Sequence, residues 1–237
     1  MGTSTRIEWN GDANRMDTLA RPCAVVFCVL ACFPAATQGN PLRFDFETGD
    51  LQGWRIVEGQ FDEVVCGKAT GRNAPGDLNK QGRYFLSSIE RPGGRGDDSM
   101  TGIIESPAFW LDGPQVTFRV GGGNHPDTYV ALVTCDDDLE VLRAGGPVSE
   151  FMVPVEWDAT AYVGRLVCIR VVDHNRGGWG HITLDDVSAT GRIDAEATAQ
   201  RDRDRLQARA QEAVRIIAGP LALAIADLRD TFGPRYP

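Results

Sequence analysis

Asn175-Arg176-Gly177-Gly178-Trp179-Gly180-His181-Ile182-Thr183-Leu184-Asp185-Asp186-Val187 is the stretch from which the rest of the chain can be read. Three glycines beside one tryptophan open backbone turns that other residues avoid. They let the Trp179 ring lie across a loop instead of inside a core. A strand follows: Ile182 and Leu184 point one way, and His181, Thr183 and Asp185 the other. The alternation fails at Asp186, which falls on the apolar side. A carboxylate buried there without a partner is costly. Either a cation meets it, or the strand end has reached solvent.

The same period of two recurs along the chain. Phe44 and Phe46 alternate with polar neighbours over 42–47 and are expected inward. Gln115, Thr117 and Arg119 form the polar side of 115–120, opposite Val116, Phe118 and Val120. Further strands are expected at 54–58, 61–66, 83–88, 102–105, 108–111, 129–134, 139–143, 151–155 and 166–172. Segments 67–82, 91–99 and 121–127 carry scattered Gly, Asn and Asp and read as loops. Arg95-Gly96-Asp97 spells an integrin tripeptide, a match too short to carry weight. Short strands between glycine turns, with no helical period, predict an all-β antiparallel β-sandwich of jelly-roll type over 41–193.

Composition narrows the function. The chain has 237 residues, 42% of them hydrophobic and 24% charged, as ordinary globular proteins do. Its 27 glycines and 13 prolines suit strands and turns. A net charge of −9 argues against a nucleic-acid partner, since phosphate binding needs basic patches. It is compatible with neutral sugars or calcium. Of six cysteines, Cys23, Cys28 and Cys32 lie in the N-terminal apolar segment. Cys66, Cys135 and Cys168 lie in the body without CxxC spacing, and Cys135 and Cys168 read as buried small hydrophobes rather than a disulfide.

The two ends differ from the middle. Within 1–40, Met16 is a plausible start, and Arg21 precedes an apolar run over 23–33 that is followed by small residues. This reads as an export signal too short to span a membrane comfortably, and Val29-Leu30-Ala31-Cys32 looks like a lipobox with Cys32 as lipid acceptor. A secreted or cell-surface protein is expected. Residues 194–218 lack Gly and Pro and place Leu206, Ala210, Val214 and Ile217 at helical spacing. Gly219-Pro220 is expected to break this tail, 194–237, into two helices. Its apolar stripe needs a partner: the sandwich, another chain or a further domain. The run Arg201-Asp202-Arg203-Asp204-Arg205 reads as a solvated face.

Taken in order, FDFETGDLQGW (44–54), GRYFLSS (82–88), TGIIESPAF (101–109), VTFRVGGG (116–123) and GGWGHITLDDV (177–187) suggest a family. Residues 42–193 resemble the jelly-roll modules attached to secreted bacterial glycoside hydrolases, notably levanase- and invertase-like ones. They also resemble modules of secreted planctomycete multidomain proteins and, more distantly, MAM domains. The resemblance implies a non-catalytic accessory module, often with a structural calcium where the first and last strands meet. Carried over, the ion's carboxylates would be Glu47 and Asp186, with Asp185 the lesser choice. Calcium takes six to eight oxygens, so backbone carbonyls would supply the rest.

Enzyme chemistry is weakly signalled. No G-x-S-x-G elbow surrounds Ser87, Ser88 or Ser106. His125, His174 and His181 match no zinc spacing, and Asp173-His174-Asn175 reads as a hydrogen-bonded turn. Asp136-Asp137-Asp138 reads as a solvated turn; a glycoside hydrolase would need two carboxylates facing each other across a groove. A carbohydrate site is more economical: an aromatic platform with a few polar groups. Trp179 and His181 on one loop, with His125, Asp127 and Tyr129 beside Asn124 on another, would frame a cleft if the loops share a rim. Arg119 and Arg170, each interrupting an apolar strand, are candidates for its concave face. Fructans or plant polysaccharides are the expected ligands, and a catalytic domain or partner chain is expected on the C-terminal helices. The competing expectation is an interaction domain that binds no sugar, with Trp179 plugging one end of the sandwich.

Overall fold

The computed structural model describes residues 39–68, 77–92 and 96–232. The export signal, Cys32 and the Arg95 of the tripeptide lie outside the described residues.

The strands in chain order are β1 (Pro41–Phe44), β2 (Arg55–Gly59), β3 (Val65–Cys66), β4 (Phe85–Ser87), β5 (Gly102–Glu105), β6 (Phe109–Gly122), β7 (Thr128–Thr134), β8 (Leu139–Ala144), β9 (Ser149–Asp158), β10 (Leu166–Asp173) and β11 (Ile182–Ile193). Helix α1 (Ala195–Phe232) follows. All pairings are antiparallel, as the sequence predicts.

Two sheets face each other. In the first, β10 is flanked by β7 on one edge and β5 on the other, extended by β8 and β2. In the second, β6 and β11 are central, extended by β9 on one side and by β4, β3 and β1 on the other. The sheets join where the first residues of β6, Phe109 and Trp110, pair with Val167 and Leu166. The core between them takes the inward residue of each alternation: Phe118, Val120, Val130, Leu132, Ile169, Val171, Ile182 and Leu184. Phe44 and Phe46 pack edge-on against Trp54 at 5.7 Å, a favourable aromatic geometry.

Two expectations change here. The segments expected at 108–111 and 115–120 are not separate strands: β6 runs from Phe109 through Gly113-Pro114 to Gly122. Proline brings no N–H to a ladder, and the β6–β11 register slips beside it, between Ala189 and Gly191. Its carbonyl still accepts from Ala159 N at 2.7 Å. In β11 the alternation breaks by a bulge: Asp186 has φ 50° and the register shifts between Asp185 and Ser188. Asp185 is thereby fully buried and Asp186 half-buried, the reverse of the order read from the sequence. On one edge β11 pairs β4 before the bulge and β1 after it.

Helix α1 is one helix, continuous through Pro220. Asp194 caps it, accepting from Ala197 N at 2.9 Å and from Trp110 Nε1 at 3.1 Å. The expected apolar stripe does not dock on the sandwich: Leu206, Val214 and Ile217 are 65%, 65% and 69% exposed. The docking face is polar. Ala108 N donates to Thr198 Oγ1 at 2.9 Å, Arg55 pairs with Asp202 at 2.9 Å, and Arg209 donates to the Val57 carbonyl. No described helix is long and apolar enough to cross a membrane.

Candidate functional site

The two glycine-rich loops do share one end of the sandwich. Gly123 N donates to His181 O at 2.8 Å, and His174 N to Asp127 O at 2.9 Å. Asn175 Nδ2 donates to Asp127 Oδ1 at 3.0 Å, and His125 Nε2 lies 3.3 Å from Gly178 O. Only glycine fits at 123, because a Cβ there would stand 1.7 Å from the Trp179 carbonyl oxygen. A tight turn, Gly180 N to Gly177 O at 2.9 Å, and the Asn175 carboxamide on Gly177 N hold the segment.

Trp179 occupies this end with φ 64°, a conformation a bulky residue adopts only when its surroundings impose it. The residue is 37% exposed and does not plug the core. The ring lies over the His181 imidazole at 5.7 Å and 26° between planes. His181 is buried between two carboxylates, with Nδ1 2.7 Å from Asp98 Oδ1 and Nε2 3.5 Å from Glu150 Oε1. Burial acts to lower its pKa, but Glu150 and Asp98 outweigh that and raise it. The platform under the tryptophan therefore favours imidazolium.

Beneath lies Asp173, 1% exposed on the core side of β10. Neither carboxylate oxygen completes a well-aligned hydrogen bond among the described residues, although the Ser88 hydroxyl and the Asn175 N–H lie close enough to favour the charged form. The hydroxyl of Thr128 on the paired strand is likewise without one. Burial pushes the Asp173 pKa to about 7; nearby Ser88 and His181 offset only part of this.

Of the seven residues expected to bind ligand, Trp179, His181, His125 and Asp127 gather at this end, and three do not. Tyr129 points to the outer face of its sheet, its hydroxyl on Glu140 Oε2 at 2.9 Å and its ring under Arg143 at 4.4 Å. Arg170 is on the same outer face, 8% exposed. Arg119 belongs to the other sheet and donates to Asn79 O at 3.2 Å. The arginines do not share a concave face because β6 and β10 lie in different sheets over those residues. Sequence reasoning does not single out Asp98 or Glu150, and it reads Asp173 as part of a turn, whereas Asp173 ends β10 and is buried. Asp98 and Glu150 sit in no motif, whereas alternation with Ile169 and Val171 places Asp173 on the apolar side of its strand.

Arg170 instead belongs to an ionic cluster under α1. Glu105, with no exposure, receives Arg170 at 2.7 Å, Arg205 at 2.5 Å and Arg201 at 3.4 Å. Asp138 bridges Arg170 and Arg201 at 2.7 and 2.9 Å, and Glu140 reaches Arg170 at 3.2 Å. Burial acts to raise the Glu105 pKa, but the arginines hold it below the usual carboxylate range. Arg201 and Arg205 are therefore not the solvated residues their run suggests, whereas Asp138 stays exposed, as its run suggests, while still pairing with Arg170 and Arg201. Arg203, on the other side of the helix, pairs with Glu196 at 2.7 Å and stays outside.

The carboxylates expected to hold calcium have partners within the protein. Glu47 Oε1 accepts from Arg83 N and Tyr84 N at 2.7 and 2.8 Å. Asp186 Oδ1 pairs with Arg43 at 2.7 Å. The buried member is Asp185, which accepts from Gln81 N at 2.6 Å and Asp186 N at 2.7 Å. Burial, with repulsion from Asp186 and Glu47, pushes its pKa to about 6. That excess of negative charge suits a cation, but among the described residues no three His, Cys, Asp or Glu side chains are gathered as a metal cluster.

No family model matches the chain. A stretch of 149 residues is 30% identical to the proposed glycosyl hydrolase ecdE of Aspergillus rugulosus, covering 60% of this chain and 20% of that protein. The chain thus spans about a fifth of the length of that relative. Among solved structures, a cleaved adhesin domain of Lys-gingipain from Porphyromonas gingivalis aligns with TM-score 0.42 and 18% identity over 66% of this chain and 99% of that one. The CBM27-1 module of Caldicellulosiruptor saccharolyticus, solved with mannohexaose, aligns with TM-score 0.37 and 15% identity over 63% and 96%. The CBM35 module of Paenibacillus barcinonensis gives 0.33 and 13% over 62% and 95%. At these TM-scores the likenesses bear on neither ligand nor chemistry.

Proposed function

We propose that the sandwich is a non-catalytic carbohydrate-binding module of a larger secreted protein, with the sugar laid on Trp179 where loops 123–127 and 174–181 meet. The observation that carries this is Trp179 itself: a large aromatic residue, 37% exposed, backed by a buried imidazole and held on a strained, hydrogen-bonded loop. A preformed platform loses little freedom on binding. The apolar face of a sugar ring stacks on it, while the carboxylates of Asp98 and Glu150, 19% and 21% exposed, and the side chains of His125 and Asn124 are placed near its hydroxyls. The accessory role draws on the relative named as a glycosyl hydrolase, of which this chain matches only a fifth. The test is calorimetric titration against fructans and plant polysaccharides. Binding by the native chain that is lost in Trp179→Ala supports the reading. Binding retained in Trp179→Ala moves the site elsewhere, and no binding to any glycan ends the proposal.

A second reading, an interaction domain without sugar, is favoured by α1. Beyond Arg209 the helix leaves Val214, Ile217, Leu221 and Leu228 at least 55% exposed. A helix surface this apolar calls for a partner; concentration-dependent sedimentation of the full chain tests it. Calcium is a separate proposal: Glu47, Asp185 and Asp186 are the carboxylates it would draw on. Added calcium is expected to raise the unfolding midpoint and chelator to lower it; no response to either removes the ion.

A further inference from the structure

Cys135 and Cys168 meet on the outer face of the first sheet, under α1. Cys168 pairs with Val133 across β10 and β7, and Cys135, just past the end of β7, donates its N–H to Leu166 O at 2.9 Å. Alternation therefore turns both thiols to one side, where Cys168 packs with Ala131 and Val133 and Cys135 leans on that cluster. Arg201 reaches both from the helix: Nη1 donates to Cys135 O at 3.1 Å, and Nη2 lies 3.9 Å from Cys168 Sγ. Cys135 is half-buried and Cys168 is buried.

We propose that Cys135 and Cys168 are a redox-active dithiol, with Cys135 the attacking and Cys168 the resolving thiol, closed to a disulfide by low-molecular-weight disulfides. This departs from the small-hydrophobe role expected from the sequence, and it is independent of the carbohydrate reading. The asymmetry follows from the surroundings. Contact with Cys168 draws the Cys135 pKa down, with Arg201 acting in the same direction, while that contact and burial raise Cys168. A more acidic, accessible thiol beside a second one is the arrangement that reacts selectively. Cys66 serves as an internal control: it is buried among Leu78, Phe85 and Met152, burial pushes its pKa up, and its sulfur faces the Phe85 carbonyl rather than a second thiol.

The chemistry balances. The Cys135 thiolate attacks one sulfur of oxidised glutathione, forming a mixed disulfide and releasing one glutathione thiolate. Cys168 then loses its proton and attacks the Cys135 sulfur, expelling the second. Two protein thiols are oxidised and one glutathione disulfide is reduced.

The test is peptide-resolved mass spectrometry of the full chain after oxidised glutathione, with iodoacetamide labelling of the reduced chain. The expected result is a cross-linked peptide joining 135 and 168, short of two hydrogens, and labelling of Cys135 at least ~10-fold faster than Cys66. Cys168→Ser should trap glutathione on Cys135. Arg201→Gln should slow labelling of Cys135, and Arg201→Lys should restore it. A stable glutathione adduct on native Cys135 without the cross-link, or equal labelling of Cys135 and Cys66, overturns the proposal.

Discussion

Glu105 and Asp173 are two buried carboxylates on the same pair of strands, and they are treated oppositely. Along the β5–β10 ladder Glu105 stands opposite Arg170, and three residues further along Asp173 stands opposite Gly102. Both are essentially unexposed, at 0% and 1%. Glu105 lies on the outer face, where three arginines reach it and keep it ionised. Asp173 lies on the inner face, no arginine among the described residues pairs with it, and its pKa climbs to about 7. The difference teaches that burial alone does not set a carboxylate's state; the partners brought by distant segments do. The arginine-paired cluster fastens a helix, although Arg201 Nε and Arg205 Nη1 complete no hydrogen bond among the described residues. Asp173 instead lies within electrostatic reach of His181, the ring on which Trp179 stacks.

The largest effect is expected at Glu105. Glu105→Gln leaves Arg170, Arg201 and Arg205 without their common anion. Removing one partner from a buried ionic group costs about 3–5 kcal/mol, and denaturant unfolding should show a loss of this order. Proteolysis should cut within α1 earlier than in the native chain. Survival of both measurements unchanged would mean that Asp138 and Glu140 suffice, and the contrast with Asp173 would weaken.

Asp173 should behave in the opposite sense. Its folded pKa of about 7 lies above the ordinary aspartate value of 3.8, so the folded state binds more protons than the unfolded one between those values. Stability is therefore expected to fall as pH rises through that window. His181 adds to the trend: its raised pKa gives stability that is complete below 6.5 and lost as pH rises through the folded value. Asp173→Asn should flatten the profile and stabilise the chain at pH 8 by about 1–2 kcal/mol. Unfolding midpoints across pH 5 to 8 check both, and an unchanged slope would place Asp173 among ordinary carboxylates.

Smaller effects should mark the exposed surfaces. Trp179→Ala should change stability by less than about 1 kcal/mol, because the residue is over a third exposed, while removing glycan binding. Leu206→Ser or Val214→Ser should leave the sandwich within about 0.5 kcal/mol, since 65% of each residue already faces solvent. A larger loss would mean that α1 buries its apolar side in solution, against a second chain.

The strands were legible because each one needs only a period of two, and the inward set Phe118, Val120, Ile182 and Leu184 follows directly from it. The two loops were legible because their glycines mark places where the chain turns, and Trp179, His125 and Asp127 came with them. That the loops share a rim stood only as a condition, and long-range hydrogen bonds decide it. Arg119 and Arg170 were misplaced for a specific reason: each breaks an apolar strand, but a period of two says which face a residue takes, not which sheet its strand joins. The bulge at Asp186 hid for a related reason. One inserted residue swaps the faces of its neighbours, and only the pairing with β4 and β1 shows where it falls.

By itself, then, the sequence determined what local rules can determine: a β-sandwich, its inward residues, the turns and the helical tail, each read from neighbours a few residues apart. Tertiary structure alone decided which charges meet. Glu105 acquires Arg201 and Arg205 from 96 and 100 residues away, and His181 acquires Asp98 from 83 residues away. The energy of a buried charge depends on such partners, and nothing in their local sequence announces them.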